Sequence, residues 1–379
     1  MHTYRVIGAM SGTSLDGLDI ALCHFEGTDD GWKYHIEAAE TIPYGVKWRT
    51  RLMELPQASA LDLALADRDF GNFAGEQIRY FMQRHEAEAD FIASHGHTVF
   101  HRPDRELTLQ IGHGACLYTS SGLPVVCDFR SVDLALGGQG APLVPVGDHY
   151  LFGNYSGCLN LGGIANLSFQ QEGRRMAFDV GPVNIVFNQL AAKMGESYDE
   201  GGQIAARGTV RYELLKELDA LDFYLRSFPK SLGREWIDAN VFPLLEASGL
   251  SSVDRMATFS RHAARQIAKA IEKCVRDVRP KVLVTGGGVF NAHFLSQIEE
   301  EMAGRVRMVV PDDKLVEFKE ALIFAFLGVL RVREEANCFA SVTGASVDNL
   351  GGTIWGGIGG KPSVSAPLPA SRRSSEAPN

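Results

Sequence analysis

The stretch Tyr4-Arg5-Val6-Ile7-Gly8-Ala9-Met10-Ser11-Gly12-Thr13-Ser14-Leu15-Asp16-Gly17-Leu18-Asp19-Ile20-Ala21-Leu22-Cys23-His24-Phe25 decides the fold. Two apolar runs flank a turn in which Gly12 and Gly17 bracket hydroxyl and carboxylate side chains, so the segment reads as strand, turn, strand. A third strand over 32–41 follows the polar turn Gly27-Thr28-Asp29-Asp30-Gly31, and consecutive strands joined by short turns make a meander. Residues 58–85 then carry apolar positions at helical spacing. Short apolar runs at 91–94 and 123–127 flank a helical stretch over 112–121.

The same order recurs further along. Residues 158–161, the turn Gly162-Gly163, then 164–169 and 175–180 form a second meander, with helices predicted over 183–194, 210–218 and 254–277. A strand over 281–284, a helix over 292–301, a strand over 306–310 and a helix over 319–331 complete the pattern. Three antiparallel strands followed by alternating helices and strands, twice over, predict two similar α/β lobes. The lobes are expected over 1–135 and 136–359, and the Ser-, Pro- and Ala-rich tail over 360–379 is expected to be disordered.

Bulk properties narrow the function. A chain of 379 residues, 45% hydrophobic and 22% charged, has the composition of an ordinary globular protein of more than one domain. Its net charge of −9 argues against a sequence-independent nucleic-acid binder, which needs a basic footprint. No secretion signal opens the chain, and the longest apolar run, 321–330, is too short to span a bilayer; a cytoplasmic protein without a membrane partner is expected. The six cysteines have no CxxC spacing, which points to reduced, mostly buried thiols rather than a structural zinc site.

Five motifs carry chemistry. Ser11, Gly12, Thr13, Ser14, Leu15, Asp16, Gly17, Leu18 and Asp19 combine hydroxyls and backbone N–H groups suited to phosphate oxygens with carboxylates able to hold Mg²⁺; the competing reading is a polar hairpin turn. Neither a GxxxxGK[ST] loop nor GxGxxG before a helix is present, which argues against a nicotinamide-dependent dehydrogenase. Asp179 ends an apolar strand before Gly181-Pro182 and a helix, as a general base, a metal ligand or merely a helix cap. Gly286, Gly287 and Gly288 close a strand where a ligand can approach the backbone. His95 and His97 fall on one face of a strand if alternation is strict, suiting polar contacts to a substrate or, less well, a metal. Arg130, in Asp128-Phe129-Arg130, suits a carboxylate ligand, or a structural pair with Asp128.

Taken together, these motifs resemble the anhydro-N-acetylmuramic acid kinase family within the actin/hexokinase/sugar-kinase superfamily. The resemblance runs over about residues 4–335 and rests on their order. Residues 8–19 and the His95-Gly96 segment come first, then Thr108-Leu109-Gln110-Ile111-Gly112, Asp128-Phe129-Arg130 and 137–143. Asn160-Leu161-Gly162-Gly163-Ile164-Ala165-Asn166, Phe178-Asp179, Thr285-Gly286-Gly287-Gly288 and Lys319-Glu320-Ala321 follow. It implies two actin/hexokinase-like (ribonuclease H-like) lobes with a cleft between them, and small-molecule partners, ATP and an anhydrosugar, with Mg²⁺. It is compatible with a homodimer. It also implies that Asp179 activates water, that Gly162 and Gly163 join the first loop and Gly286–Gly288 around ATP, that Asp16 serves Mg²⁺, and that His95, His97 and Glu320 meet the sugar; charge alone suits Arg130 to the lactyl carboxylate of that sugar. His97 stands where the family usually has Gln, and Val180 and Val183 where many members have Thr and Gly. Two other readings share the scaffold: a levoglucosan-type kinase, and an actin-like or chaperone-type protein that uses ATP as a switch.

Overall fold

The computed structural model describes residues 2–358, so the tail expected over 360–379 lies outside the described residues. Its strands are β1 (His2–Ser11), β2 (Gly17–Thr28), β3 (Gly31–Pro43), β4 (Phe91–Arg102), β5 (Leu107–Ile111), β6 (Val125–Cys127), β7 (Gly157–Leu161), β8 (Ile164–Gln171), β9 (Arg174–Pro182), β10 (Lys281–Thr285), β11 (Arg307–Val309) and β12 (Thr353–Trp355). They make two sheets, ordered β12-β6-β4-β1-β2-β3 with β5 on β4, and β11-β10-β7-β8-β9. Each sheet is an antiparallel meander extended by two parallel strands on the side of its first strand. The two-lobe α/β arrangement expected from the element order is therefore present.

The helices are α1 (Val46–Glu54), α2 (Ala60–Arg84), α3 (Gly114–Ser121), α4 (Ser131–Ala135), α5 (Val144–Leu151), α6 (Asn184–Ala192), α7 (Gln203–Arg207), α8 (Tyr212–Asp219), α9 (Asp222–Leu225), α10 (Arg234–Ala247), α11 (Ser252–Cys274), α12 (Ala292–Met302), α13 (Asp313–Val332) and α14 (Ala340–Thr343). The longer ones start where the chain supplies a cap. Ser59 accepts from the Asp62 N–H at 3.1 Å, Ser251 from the Asp254 N–H at 3.1 Å, and Asp312 from the Leu315 N–H at 2.9 Å.

The first sheet is covered on both faces, which is why β1 reads as a near-continuous apolar run. Ile7, Ala9 and Ile92 pack with α2 on one face. Val6, Phe91 and Ala93 pack with α13 on the other. The second sheet has its own core with α6, α8, α10 and α11. The division expected at 135/136 follows the sheets only in part, because the end of the chain returns to the first lobe. Thr353–Trp355 pairs with Val125–Cys127, and α13 packs against β1, β2 and β4.

The last long helix departs from the sequence expectation. It starts at Asp313, not 319, and is interrupted at Phe318 (φ −108, ψ 15). The interruption breaks the apolar period and hides the first turns from a periodicity reading. Beyond it the helix presses against β1, and a Cβ on Gly8 would collide with the Ala321 carbonyl oxygen. Gly8→Ala should therefore lower stability by about 1–3 kcal/mol or more, the usual range for overpacking. A urea unfolding midpoint unchanged from wild type would show that the helix does not dock so closely.

Candidate active site

A cleft of about 1670 Å³ opens between the lobes. Thr13, Ser14, Asp16 and Asp19 line it from the first lobe, Gly162, Gly163, Gly286 and Gly287 from the second, and Glu317, Lys319 and Glu320 from α13. Segments 150 to 300 residues apart in sequence thus meet at one site because each lobe's first hairpin points its turn inward.

The first loop owes its shape to two local constraints. Leu15 holds a left-handed backbone (φ 60), and Gly17 packs so closely on β3 that a Cβ would lie 2.6 Å from the Ile42 carbonyl oxygen. The left-handed residue is therefore Leu15, not one of the glycines. Asp16 Oδ1 accepts from Ser14 Oγ at 2.7 Å and from the Gly17 N–H at 3.0 Å. Asp19 Oδ1 accepts from Thr41 Oγ1 at 2.5 Å, and burial pushes the Asp19 carboxyl up to about 6. Other parts of the loop face away from the cleft: Leu18 sits in the α2-side core, and buried Ser11 accepts from the Tyr44 hydroxyl at 2.6 Å.

In the second lobe the glycines divide their work. Gly288 lets the backbone approach Leu161, where a Cβ would sit 2.7 Å from the Leu161 Cβ, and a Cβ on Gly286 would strike Asn160; a Cβ on Gly287 would meet only Asn184 Nδ2, at 3.9 Å. The run continues as a short 3₁₀ turn, Gly287–Phe290, before α12 begins. The carbonyls of Gly162 and Gly163 accept from the N–H groups of Asn184, Val183 and Ile185 at the start of α6. Those amides are thereby occupied within the protein.

Asp179 is not among the residues lining the cleft, and it does not cap α6. It lies in β9 opposite Asn166, and its Oδ2 accepts from the Leu232 N–H at 2.8 Å. Arg234, two residues beyond Leu232, does line the cleft, so Asp179 sits directly behind the 230–234 segment. Burial raises its carboxyl to about 6, with the Leu232 N–H opposing. Among the described residues no donor reaches Oδ1. Glu320 is open to the cleft water but enclosed by both lobes. The surrounding protein raises its pKa, while Arg130 and Lys319 oppose the rise.

The two histidines lie on opposite faces of the first sheet. A bulge between Ser94 and Gly96 (φ +75) breaks the alternation. His95 packs against Phe324 of α13, whereas His97 packs near Phe70 of α2 and meets Ser11 Oγ through Nδ1 at 2.9 Å. The metal reading thereby loses its geometry, and among the described residues no group of three or more His, Cys, Asp or Glu side chains could hold an ion.

Arg130 pairs with neither Asp128 nor any other carboxylate within salt-bridge distance among the described residues. Its Nε and Nη2 donate to His95 Nε2 at 3.1 and 2.8 Å, and Nη1 to the Gly140 carbonyl at 2.6 Å. Asp128 instead accepts from Ser131 Oγ at 2.6 Å. Burial brings Arg130 down to about 10, leaving it charged at neutral pH. Fully buried Asp133 fixes the same corner, accepting from the Gly140 N–H at 2.7 Å and from Thr343 Oγ1 and Asn349 Nδ2, both at 2.8 Å. Nothing local sets Asp133 or Arg234 apart in the sequence, and only their long-range partners reveal them.

The comparisons with known proteins agree with one another at the level of sequence. A family model described as anhydro-N-acetylmuramic acid kinase matches residues 4–357. The anhydro-N-acetylmuramic acid kinase of Paramagnetospirillum magneticum is 35% identical over 354 residues, covering 91% of this chain and 98% of the relative. That of Microcystis aeruginosa is 32% identical over 376 residues, covering 92% and 99%. Among solved structures, the activator of 2-hydroxyisocaproyl-CoA dehydratase from Clostridium difficile aligns at a TM-score of 0.43 and 12% identity, covering 87% of this chain and 97% of the other. A ROK hexokinase from Thermus thermophilus aligns at 0.35 and 14%, covering 86% and 99%. Structural likeness at these scores is too slight to bear on function.

The His95 contacts fix one neutral tautomer, with Nδ1–H donating to the Gly96 carbonyl at 2.9 Å and Nε2 accepting from Arg130. Burial, and secondly the Arg130 charge, hold its pKa well below the ordinary 6.5. Side-chain NMR should therefore show a His95 that stays neutral from pH 8 to about 5. A titration centred near 6.5 would contradict this arrangement.

Proposed function

The chain belongs to the anhydro-N-acetylmuramic acid kinase family, and from that premise we propose that it phosphorylates O6 of 1,6-anhydro-N-acetylmuramic acid from ATP while adding water across the anhydro bridge. The products are N-acetylmuramate 6-phosphate and ADP, and the reaction belongs to the recycling of cell-wall sugars. The observation that carries this reading is one interlobe cleft that gathers phosphate-suited loops from both lobes and the Glu320 carboxylate, with volume for a nucleotide and a sugar together.

In this reading Asp179 reaches the cleft past the 230–234 segment and takes a proton from a water that attacks the anomeric carbon opposite the bridge oxygen. A C1–O bond to water forms and the C1–O6 bond breaks, leaving O6 with the electron pair. O6 then bonds to the γ-phosphorus, and the bond to the ADP oxygen breaks roughly in line. Burial suits Asp179 to the role of base, because a carboxylate titrating near 6 is a stronger base than an ordinary aspartate yet is ionised at neutral pH. Its Oδ1 is the oxygen assigned the proton, while the Leu232 N–H holds Oδ2.

Binding divides between the lobes. The backbone of the 11–19 loop and the Thr13 and Ser14 hydroxyls, which line the cleft, take the γ-phosphate, with Gly162–Gly163 and Gly286–Gly288 on the remaining nucleotide phosphates and ribose. Arg130, braced by His95 and the Gly140 carbonyl, meets the lactyl carboxylate with its guanidinium. Glu320 accepts from sugar hydroxyls, and His97, joined to Ser11, lies at the junction of sugar and phosphate sites. Asp16 and Asp19 fit Mg²⁺ only as a pair completed by phosphate oxygens and water, the ion's usual surroundings. When bound, Mg²⁺ supplies charge neutralisation on the β- and γ-phosphates.

Asp179→Asn should lower turnover by about a hundred- to ten-thousand-fold, the usual worth of a general base, while ATP and anhydrosugar still bind by calorimetry. Near-normal turnover would remove Asp179 from this role. For wild type, kcat should fall as pH drops through about 6, because protonation abolishes the base. A flat profile between pH 5 and 8 would count against it. ADP release that ignores added anhydrosugar would favour an ATP-switch protein instead.

A further inference from the structure

Beneath the cleft, three ionisable side chains are buried together and take no part in the reaction just described. Lys319 Nζ lies 2.8 Å from Asp148 Oδ1, with both side chains at most 6% exposed. Arg175 Nη2 lies 3.8 Å from Asp148 Oδ2, which also accepts from the Ser168 hydroxyl, and Arg175 Nη2 donates to Ser168 Oγ at 2.7 Å. The Lys319 ammonium also stands 5.2 Å from the Phe152 ring centroid.

The group ties together parts of the molecule that belong to different lobes. Ser168 and Arg175 are on β8 and β9 of the second sheet, and Asp148 is on α5. Lys319 is on α13, whose following residues are docked on the first sheet at Gly8. It is also the first residue after the interruption at Phe318 and the immediate neighbour of Glu320.

Stability alone does not account for the lysine. Asp148 already has Arg175 as a counter-charge, so Lys319 leaves the cluster with an excess of one positive charge. Burying an ammonium is costly, and an apolar side chain of like volume against Phe152 is often neutral or stabilising for a fold. What an apolar residue lacks is a charge paired with Asp148 and standing beside Glu320.

We propose that Lys319 is a positioning residue for the sugar site: its ion pair with Asp148 sets the interrupted turn of α13 from the second lobe, and so directs Glu320 into the cleft. The idea rests on Glu320 contacting the sugar, as in the reading above. Because the tie spans the lobes, the Glu320 carboxylate is placed by the relation of the two sheets rather than by its own helix alone. The Lys319 charge also opposes the rise in the Glu320 pKa and favours the ionised acceptor.

The test is a double-mutant cycle on the full chain with Lys319→Met, Glu320→Gln and their combination, reading KM for anhydrosugar, KM for ATP and the thermal unfolding midpoint. Lys319→Met should raise KM for the sugar about tenfold while leaving KM for ATP within about twofold and the unfolding midpoint near wild type. Added to Glu320→Gln, it should have little further effect, because both changes act through one carboxylate. Losses that add, or a KM for ATP that rises in parallel with that for sugar, would overturn the proposal and leave Lys319 a structural residue. If Lys319→Met does not fold, Asp148→Asn, which removes the charge that holds Lys319, takes its place in the same cycle with the same criteria. Absence of any sugar-dependent turnover by wild type would overturn both this proposal and the kinase reading; wild-type turnover with additive losses would overturn this one alone.

Discussion

The contact on which the rest depends is the seating of α13 against β1, where the Ala321 carbonyl occupies the space a side chain at position 8 would fill. No residue but glycine admits that approach, and the helix therefore runs close under the first sheet. Gly147 of α5 makes the same allowance for Ile323 on another side of the helix. Farther along, Arg331 donates from Nε to the Gly352 carbonyl at 2.7 Å and anchors the segment that leads into β12. One helix thus carries the cleft residues at its start, fills the first core in its middle and ties down the chain's last strand near its end. Its docking is tight because close-packed interiors leave no room for adjustment.

Charge is the second organising feature. Asp16, Asp19, Glu40, Glu317 and Glu320 line the cleft, against Arg234 and Lys319, and the lysine is held by Asp148. A site so acidic does not attract a nucleotide by its side chains alone. In the proposed reading, backbone N–H groups and a bound cation provide the attraction. Enclosure of the carboxylates is the common cause behind the raised pKa values of Asp19, Asp179 and Glu320, and such groups cluster where chemistry is done. The corner at His95 differs: Arg130 is a charged donor braced by a neutral imidazole and a carbonyl, with no carboxylate within salt-bridge distance among the described residues.

Much of the fold was legible in the sequence because strands and helices announce themselves by period. Both meanders, α2, α11 and α12 fall close to their expected ranges. What escaped depended on distant partners. The bulge at Gly96 exists because β4 must pair with β1 on both sides of it, so strict alternation put two histidines on one face that the sheet puts on two. Interruption at Phe318 concealed the start of α13, and the return of Thr353–Trp355 to the first sheet has no local signal. In the site, the glycine-bearing turns and Glu320 come together at the cleft. Asp179 lies behind the 230–234 segment, and His95 and Arg130 form a separate corner held by Asp133. That corner could not be foreseen, since Asp133, Gly140, Thr343 and Asn349 meet only in the folded chain.

The central claim is that one site couples hydrolysis of a sugar bridge to phosphoryl transfer. The direct measurement is mass spectrometry of products formed from ATP, Mg²⁺ and 1,6-anhydro-N-acetylmuramic acid in ¹⁸O-water, quenched before the reducing end exchanges its oxygen. The expected result is one heavy oxygen at C1 of a 6-phosphorylated sugar and none in its phosphate. Heavy oxygen in released inorganic phosphate, with the anhydro bridge intact, would contradict the account.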